Sequence, residues 1–434
     1  MRPLRSSPPT PTSSFASAVE KKSADERVSV VSTFREFALA ASSLNALETM
    51  GIETPTAIQA ASIPPLLDGR DVIGQAWTGS GKTLAFGLPL VERVECDEKR
   101  LQALVLVPTR ELAQQVGGVL EQLVAGTGIR STMVFGGRAI GPQMEALRRG
   151  AQIVIGTPGR ILDHLQRGSI RLDRIKYLVL DEADEMLDRG FAPDIERILA
   201  VTAPQRQTAL FSATTPDWVH RVSAKYLREP IVIQSAPEDS DEPDIDHVVY
   251  EVWREDKFTV LRRLLDEPTT GATLVFGRTK YGVRNLGAKL ARLGYSVDVL
   301  QGNLNQQQRD RALQKFREGK TPVLLATNVA ARGLDVLHIE RVINYELPET
   351  HELFTHRVGR TGRMGRSGRA ITLLGPADLP NWHEIERKLG RKLPRMTLNG
   401  ERVAQPAVRP ASGSRSRRRS FGWGRRSQAG VRTR

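Results

Sequence analysis

Short apolar runs recur along the chain, and segments with helical spacing separate them. This alternation is typical of parallel sheets flanked by helices. The first half is predicted to contain strands over Asp71–Gln75, Ala103–Val107, Ser131–Phe135, Ile153–Ile155, Tyr177–Leu180 and Thr208–Phe211. The second half is predicted to contain strands over Val248–Val252, Ala272–Phe276, Ser296–Val299, Pro322–Ala326, Arg341–Asn344 and Arg369–Leu374. We therefore expect an α/β protein with two consecutive, mostly parallel sheets.

Composition changes divide the chain into five parts. The first is a Ser- and Pro-rich arm without periodicity, which predicts disorder. A transit peptide is the alternative, because Arg2 and Arg5 precede the first acid, Glu20. An acidic, Pro-containing stretch predicts a linker between the domains, and the chain ends in a basic tail. The predicted parts are an arm (1–32), a first domain (33–234), a linker (235–245), a second domain (246–393) and a tail (394–434).

The first predicted strand runs directly into a glycine-rich loop, Ala76-Trp77-Thr78-Gly79-Ser80-Gly81-Lys82-Thr83, ahead of a predicted helix from Leu84 to Val91. This order of strand, loop and helix is typical of a P-loop, whose backbone N–H groups surround phosphates. We expect Lys82 to neutralise the β- and γ-phosphates and Thr83 to bind Mg²⁺. Ala76 occupies the place of the usual first glycine.

Two adjacent acids, Asp181 and Glu182, follow the buried strand pattern Tyr177–Leu180. Ligands of open α/β sheets bind at the carboxyl ends of strands. One acid is expected to hold Mg²⁺, mostly through water, while the other deprotonates a water molecule. An acidic first turn of a helix is the alternative interpretation of these residues. The P-loop upstream favours the nucleotide site.

Small polar clusters with arginines end the other strands of the first half. They predict either a groove that follows a phosphate backbone or ordinary turns with solvated arginines. The second half has no P-loop, but its segment His356–Arg366 spaces arginines between glycines. That pattern indicates either a basic loop or an arginine finger that reaches a nucleotide bound by the first domain.

The 434 residues carry a formal net charge of +14, which favours a polyanionic partner. The tail contributes much of that charge and adds Phe421 and Trp423, which suits RNA contact. A solubility or localisation tail is the alternative. The single Cys96 excludes an intramolecular disulfide framework and a Cys-rich zinc site. No apolar run is long enough to span a bilayer. We therefore expect a cytoplasmic protein, most simply a bacterial one, that does not associate with a membrane.

Taken together, these motifs resemble the DEAD-box ATP-dependent RNA helicases over roughly residues 33 to 392. The matching segments are Phe34 with Gly51 and Pro55–Gln59, the P-loop, Pro108–Ala113, Thr157–Arg160, Asp181–Asp184, Ser212–Thr214, Gln306–Arg309, Ala330–Asp335 and His356–Arg366. The resemblance implies two RecA-like domains that bind ATP and RNA across the cleft between them.

The resemblance also implies residue roles. Gln59 would read the adenine of ATP and Phe34 would stack on it, while Glu182 would activate the attacking water. The implied catalytic residues are Glu182, Lys82, Asp181, Arg360 and Arg363. The implied nucleotide contacts are Phe34, Gln59, Ala76, Thr78, Gly79, Ser80, Gly81, Lys82, Thr83, Gly333 and Asp335. The implied Mg²⁺ ligands are Thr83 and Asp181.

Other residues would couple the domains or contact RNA. The implied coupling residues are Asp184, Ser212, Thr214 and His356. The implied RNA contacts are Pro108, Thr109, Arg110, Gly137, Thr157, Arg160, Gln306, Arg309 and Thr327. The chain departs from the common family pattern at Gln301, Asn303 and Asn328, and through the basic pair Gly277-Arg278.

Three functions are compatible with these motifs. The first is ATP-driven local unwinding of short RNA duplexes. The second is an ATP-gated RNA clamp or ribonucleoprotein remodeller that rarely separates strands. The third is a DNA translocase, against which Gln59 and Asp184 argue. We expect a monomer that works on RNA, with ribosome assembly, RNA decay and cold-shock duplex melting as candidate settings.

Overall fold

The computed structural model describes residues 33–77, 79–234, 244–331, 336, 338–362 and 366–396. The predicted arm (1–32), most of the predicted linker and nearly all of the predicted tail lie outside these residues. Within them, two parallel seven-stranded sheets follow one another along the chain. The predicted α/β class with two mostly parallel sheets is confirmed.

The first sheet has the strand order β3-β4-β2-β5-β6-β1-β7. Its strands are β1 (Val72–Gln75), β2 (Ala103–Leu106), β3 (Ser131–Val134), β4 (Ile153–Gly156), β5 (Tyr177–Leu180), β6 (Gln207–Ser212) and β7 (Ile231–Gln234). The helices of this domain are α1 (Ala41–Thr49), α2 (Ala57–Leu67), α3 (Lys82–Arg93), α4 (Arg110–Leu123), α5 (Ile140–Arg148), α6 (Pro158–Gln166), α7 (Ala183–Asp188), α8 (Ala192–Ala200) and α9 (Asp217–Tyr226), after a 3-10 turn over Phe34–Glu36.

The second sheet has the order β10-β11-β9-β12-β13-β8-β14. Its strands are β8 (Ile245–Glu251), β9 (Ala272–Gly277), β10 (Val297–Leu300), β11 (Val323–Thr327), β12 (Ile339–Asn344), β13 (Gly368–Leu374) and β14 (Arg395–Met396). The helices are α10 (Lys257–Asp266), α11 (Lys280–Arg292), α12 (Gln306–Arg317), α13 (Asn328–Ala331), α14 (His351–Val358) and α15 (Leu379–Leu389), with a 3-10 turn over Pro376–Asp378.

The strands β7 and β14 were not among the predicted strands. Val232 of β7 is half exposed, so this edge strand lacks the continuous apolar run of the central strands. β14 has only two residues and depends on pairing with β8 for its extended conformation. Ile245, the last residue of the predicted linker, already begins β8.

Both faces of each sheet are covered, which is why the central strands are apolar throughout. In the first domain, α3 and α4 bury Phe86 and Leu120 against one face, and α8 and α9 bury Ile198 and Trp218 against the other. Removing one such side chain from water contributes about 1.5–3 kcal/mol. This packing fixes the carboxyl ends of the strands, where the predicted site residues lie.

The register of the central strands determines which loops meet. Gln75 at the end of β1 pairs with Ser212 at the end of β6, and Leu180 of β5 pairs with Leu210 of β6. The loops that follow these three strands therefore start at one edge of the sheet. Gly74 is required in β1, because a Cβ atom there would lie 2.4 Å from the Phe211 ring.

Candidate functional site

The glycine-rich loop joins β1 to α3, as the sequence predicts. Gly79 and Gly81 have φ values of +93° and +91°, which L side chains rarely adopt. Lys82 is buried and its Nζ donates to the Ala76 carbonyl at 3.0 Å, so the side chain crosses the loop. Ser80 Oγ donates to the Trp77 carbonyl at 2.9 Å. Both contacts lie within the loop, and Thr83 lies in the first turn of α3.

The side chain of Gln59 binds the loop itself. Its Oε1 accepts from the Thr56 N–H at 2.9 Å, and its Nε2 donates to the Gly81 carbonyl at 3.0 Å. Thr56 Oγ1 donates to the Ser80 carbonyl at 2.8 Å. The amide therefore caps α2 and anchors the loop. The adenine contact of Gln59 stays a prediction.

Phe34 belongs to the same hydrophobic core as Ile58, the neighbour of Gln59 on α2. Its ring is 3% exposed and meets the Phe37 ring edge-on, with the centroids 5.9 Å apart. Both phenylalanines belong to the hydrophobic core that α3 shares. The ring therefore contributes to packing, and its predicted stacking on the adenine base stays a prediction.

The two acids after β5 are almost completely buried. Burial raises the pKa of Asp181 to about 7; the Glu182 charge adds to this rise and the Lys82 charge opposes it. Burial also opposes charge on Glu182, but the hydrogen bond with Glu185 and the charges of Lys82 and Arg360 outweigh it and lower the pKa of Glu182. The neighbours of Glu182 therefore favour its ionised form.

Glu182 also has an unusual backbone. Its φ of 52° and ψ of 55° lie in the left-handed region, which few residues other than glycine adopt. It forms the N-cap of α7, and its N–H donates to Asp181 Oδ1 at 3.0 Å. Its Oε2 atom is buried and has no hydrogen-bond partner among the described residues. Strain and an unsatisfied buried oxygen are typical of a site that binds a ligand.

Asp184 links the acids to β6 and to the second domain. Its Oδ2 accepts from the N–H and Oγ1 of Thr214 at 2.8 and 2.9 Å, and its N–H donates to Ser212 Oγ at 3.1 Å. His356 Nε2 of α14 lies 3.7 Å from the same Oδ2. Burial opposes charge on Asp184, but the neighbouring His356, Lys82 and Thr214 outweigh it and hold the pKa well below its usual range.

Arg360 follows α14 and lies on the second-domain side of the acids. It is buried, and its Nε donates to the His356 carbonyl at 3.1 Å. Its charge is one of those that lower the pKa of Glu182. The predicted site residues Thr78, Gly333, Asp335 and Arg363 lie outside the described residues, so the structure gives no placement for them.

Arg357, on α14, has a different role. It is buried, with hydrogen bonds to Asn328 Oδ1 at 2.5 Å, Asn344 Oδ1 at 3.1 Å and the Glu346 carbonyl at 2.6 Å. All three acceptors are neutral, and burial lowers the pKa of Arg357 to about 9. Asn328, where the chain departs from the common family pattern, therefore accepts a hydrogen bond from a buried arginine. The sequence analysis did not predict this contact.

Several predicted RNA contacts meet across the interdomain cleft, the space between the carboxyl edges of the two sheets. Arg110 Nη1 of the first domain donates to Gln306 Oε1 of the second at 2.6 Å. Gly137 leaves room for this arginine, because a Cβ at Gly137 would lie 2.0 Å from Arg110 Nη1. Arg309 forms an ion pair with Glu111 of α4 and donates through Nη2 to the Ala330 carbonyl at 2.6 Å.

Glu111 is a site residue that the sequence analysis missed. It lies within the quoted segment Pro108–Ala113, but an acid in the first turn of a helix has an ordinary explanation. Only the structure reveals that Glu111 is buried, with 5% of its surface exposed. Buried acids are rare unless they are paired.

The remaining predicted RNA contacts line the carboxyl edges of the two sheets. Pro108 and Thr109 follow β2, and Thr109 Oγ1 caps α4 by accepting from the Leu112 N–H at 3.0 Å. Thr157 is the N-cap of α6, and Arg160 on that helix donates to the Arg138 carbonyl at 3.2 Å. Thr327 ends β11 and is buried.

The geometry fits a nucleotide with its metal ion. The loop supplies the positive-φ glycines Gly79 and Gly81 and the buried Lys82. The acids supply Asp181, whose pKa is raised, and the buried Glu182 Oε2, which has no hydrogen-bond partner among the described residues. Within the described residues, no cluster of three or more His, Cys, Asp or Glu side chains could hold a metal by itself. In the same part of the chain, no helix is long and apolar enough to cross a membrane.

The P-loop and the two acids thus lie in the first domain, and the buried Arg360 lies near the acids from the second. Two family models match it: DEAD/DEAH box helicase over residues 56–222 and helicase conserved C-terminal domain over residues 256–365. The chain is 44% identical over 366 residues to the DEAD-box ATP-dependent RNA helicase CshA of Geobacillus kaustophilus, with 84% of this chain and 78% of the relative covered. CshA of Bacillus subtilis is 43% identical over 364 residues, with 84% and 74% covered.

The chain belongs to the DEAD-box family of ATP-dependent RNA helicases, as its motifs predict. It is accordingly an enzyme of the RNA-stimulated ATPase class. Among solved structures, S. cerevisiae Dbp5 bound to RNA and ADP BeF3 matches with a TM-score of 0.78 and 33% identity, over 85% of this chain and 96% of that one. A DEAD box protein of Methanococcus jannaschii matches with a TM-score of 0.51 and 38% identity, over 84% and 99%. The two RecA-like domains are thereby confirmed.

Proposed function

We propose that this protein uses ATP and Mg²⁺ in the interdomain cleft to unwind short RNA duplexes locally. The observation that carries the proposal is the meeting of the two domains at the acids. His356 of the second domain lies 3.7 Å from Asp184 of the first, and Arg360 acts electrostatically on Glu182. The catalytic base and the stabilising arginine thus come from different domains, and hydrolysis requires both.

The residues divide the work in the following way. Backbone N–H groups of the loop and the Lys82 ammonium bind the phosphates of ATP. The Mg²⁺ ion, when bound, neutralises charge on the phosphates. Glu182 accepts a proton from the attacking water, because its neighbours keep it ionised. Arg360 stabilises the negative charge that develops on the transferred phosphoryl group.

The RNA side supports coupling to a strand in the cleft. Arg110, Gly137 and Arg309 lie at the edge where the two domains face each other, and arginine suits phosphate recognition. The solved structure of Dbp5 carries RNA and ADP BeF3 together. We infer that RNA binds along this edge through its backbone, with little sequence preference, and that the protein acts as a monomer.

ATP hydrolysis with different nucleic acids tests this proposal. Turnover should be low without nucleic acid, rise with single-stranded RNA, and stay low with DNA of the same sequence. The Lys82→Ala protein is the blank. Equal stimulation by RNA and DNA would support the translocase instead. An RNA-stimulated ATPase that binds duplexes without releasing strands would support the clamp.

The setting of this activity rests on the sequence alone. We propose a bacterial cytoplasmic protein that acts in ribosome assembly, RNA decay or cold-shock duplex melting. Pull-down of the tagged full-length protein from ribosomal and RNA-decay fractions tests that assignment.

A further inference from the structure

A second basic feature lies at the edge of the first sheet that faces away from the interdomain cleft. Gly69 precedes β1, Lys176 precedes Tyr177 at the start of β5, and Gln207 begins β6, so these residues mark the amino ends of three strands. Together with the ends of neighbouring segments they line a pocket with a volume of about 500 Å³. We call it the basic pocket, after its lining residues Arg93, Arg100, Arg174, Lys176 and Arg228.

The pocket carries a surplus of positive charge. None of its described lining residues is an acid. Two glutamates stand beside it: Lys176 Nζ lies 2.6 Å from Glu95 and 3.4 Å from Glu98, and Arg100 lies 2.9 Å from Glu98. The five lining cations outnumber these two paired carboxylates by three.

The three other arginines form no side-chain ion pair among the described residues, although Asp173 adjoins Arg174 and the Arg228 backbone N–H donates to Asp71 Oδ2 at 2.7 Å. Arg93 Nη1 donates to the Leu66 carbonyl at 3.3 Å, and its guanidinium lies 5.5 Å from the Tyr177 ring centroid. Arg228 Nη2 donates to the Arg206 carbonyl at 2.8 Å. Arg174 is exposed and has no hydrogen bond or ion pair within the described part of the chain.

We propose that the basic pocket binds a small, multiply phosphorylated anion, at a site separate from those for ATP and RNA. Four of its five cations are arginines, whose planar forks match phosphate oxygens. Its volume lies in the range of small-molecule sites. The pocket is bounded by strand ends, which suits a compact anion better than an extended RNA backbone that needs a continuous groove.

The position of the pocket separates it from the chemistry. Arg93 is the last residue of α3, whose first residue is Lys82 of the P-loop. A helix of this length spans about 18 Å at 1.5 Å per residue. An anion in the pocket therefore cannot touch the nucleotide bound at the other end of α3.

Calorimetric titration of the full-length protein with inorganic tripolyphosphate tests this proposal. Saturating ADP, Mg²⁺ and single-stranded RNA are present so that the other anion sites are filled. We expect one saturable site per chain. The Arg174→Glu variant should bind tripolyphosphate about tenfold more weakly, because a charge-assisted contact becomes a repulsion.

The Arg171→Glu variant is the matched control. Arg171 lies three residues earlier in the same loop and is exposed, but it pairs with Asp173 and does not line the pocket. Its affinity for tripolyphosphate should equal that of the wild-type protein. RNA-stimulated ATP hydrolysis by both variants checks that each is folded.

Equal tripolyphosphate affinities for Arg174→Glu and Arg171→Glu, or the lack of a saturable site, would overturn the proposal. A loss of RNA affinity in Arg174→Glu with unchanged tripolyphosphate binding would also overturn it and would make the pocket an RNA contact. The comparison depends on the two variants only, so a failure of the helicase proposal would leave this result interpretable.

Discussion

Glu111 on α4 of the first domain and Arg309 on α12 of the second form an ion pair across the interdomain cleft. Both side chains are largely shielded from water, with exposures of 6% and 14%. Removing one partner of a buried ion pair is destabilising, because the other charge then stays buried without compensation. The contact therefore stabilises the arrangement in which the two domains meet.

Replacing Glu111 should weaken this arrangement. In Glu111→Gln the guanidinium of Arg309 keeps its bond to the Ala330 carbonyl but loses its charge partner. We expect the KM for RNA in the ATPase assay to rise about tenfold, since closure must then be driven by the ligands alone. The control is Glu121→Gln on the same helix, at an exposed position. An equal KM for both variants would show that the pair does not contribute to closure.

Glu182 provides a test of the hydrolysis step. Glu182→Gln keeps the size and polarity of the side chain but removes its ability to accept a proton. ATP and RNA binding should persist, while turnover falls by roughly 10²- to 10⁴-fold, as is usual for loss of a general base. Nucleotide binding by fluorescence titration and phosphate release measure the two properties. Wild-type turnover in this variant would exclude Glu182 as the base.

Asn328 offers a stabilising substitution. The buried Arg357 has only neutral acceptors, and burial lowers its pKa to about 9. Asn328→Asp would place a carboxylate 2.5 Å from Arg357 Nε. We expect the free energy of unfolding of the second domain to rise by about 1 kcal/mol at pH 7. Urea denaturation measures it, with the exposed Asn285→Asp as the control. A decrease would mean that desolvation of the new carboxylate outweighs the attraction.

His247 gives the second domain a pH dependence. Its ring stacks on Phe354 with the centroids 6.2 Å apart, and burial lowers its pKa to about 4. The unfolded chain therefore binds a proton below about pH 6.5 that the folded chain rejects until about pH 4. Stability is fully present above pH 6.5 and is lost as the pH falls through that window, by about 3 kcal/mol.

The variant His247→Phe retains a ring against Phe354 but cannot titrate. Its stability should change less than that of the wild-type protein between pH 6.5 and pH 4. The comparison uses urea unfolding at a series of pH values. Identical slopes in the two proteins would assign the acid sensitivity to other groups.

The basic tail, which lies outside the described residues, carries a prediction from sequence. Deleting residues 404–434 removes arginines that flank Phe421 and Trp423. RNA affinity should fall and its dependence on salt should flatten, because fewer counterions are released, while the maximal ATPase rate is unchanged. Equal salt slopes with and without the tail would assign it no role in RNA binding.

The sequence predicted those elements whose residue pattern depends on local burial or on local backbone geometry. The run Tyr177–Leu180 is β5 without any change of bounds, because a strand covered on both faces must be apolar throughout. The P-loop was found because its glycines are required by backbone geometry. The edge strand β7 was missed because its exposed face removes that signal.

Contacts between segments that are distant along the chain could not be predicted from the sequence. The ion pair of Glu111 and Arg309 joins positions 198 residues apart, and no local pattern sets that distance. Gln59 belongs to a motif that the sequence revealed, but the Gly81 carbonyl that its amide binds lies on another element. The same holds for Asn328, whose partner Arg357 is on α14.

Strand release from a short, labelled RNA duplex tests the central claim most directly. The full-length protein is measured with Mg²⁺ and ATP, and without nucleotide, beside the Lys82→Ala protein. The account predicts ATP-dependent release by the wild-type protein and none by Lys82→Ala. Tight, ATP-dependent binding of the duplex without strand release would contradict it and would show that the two domains clamp RNA instead of unwinding it.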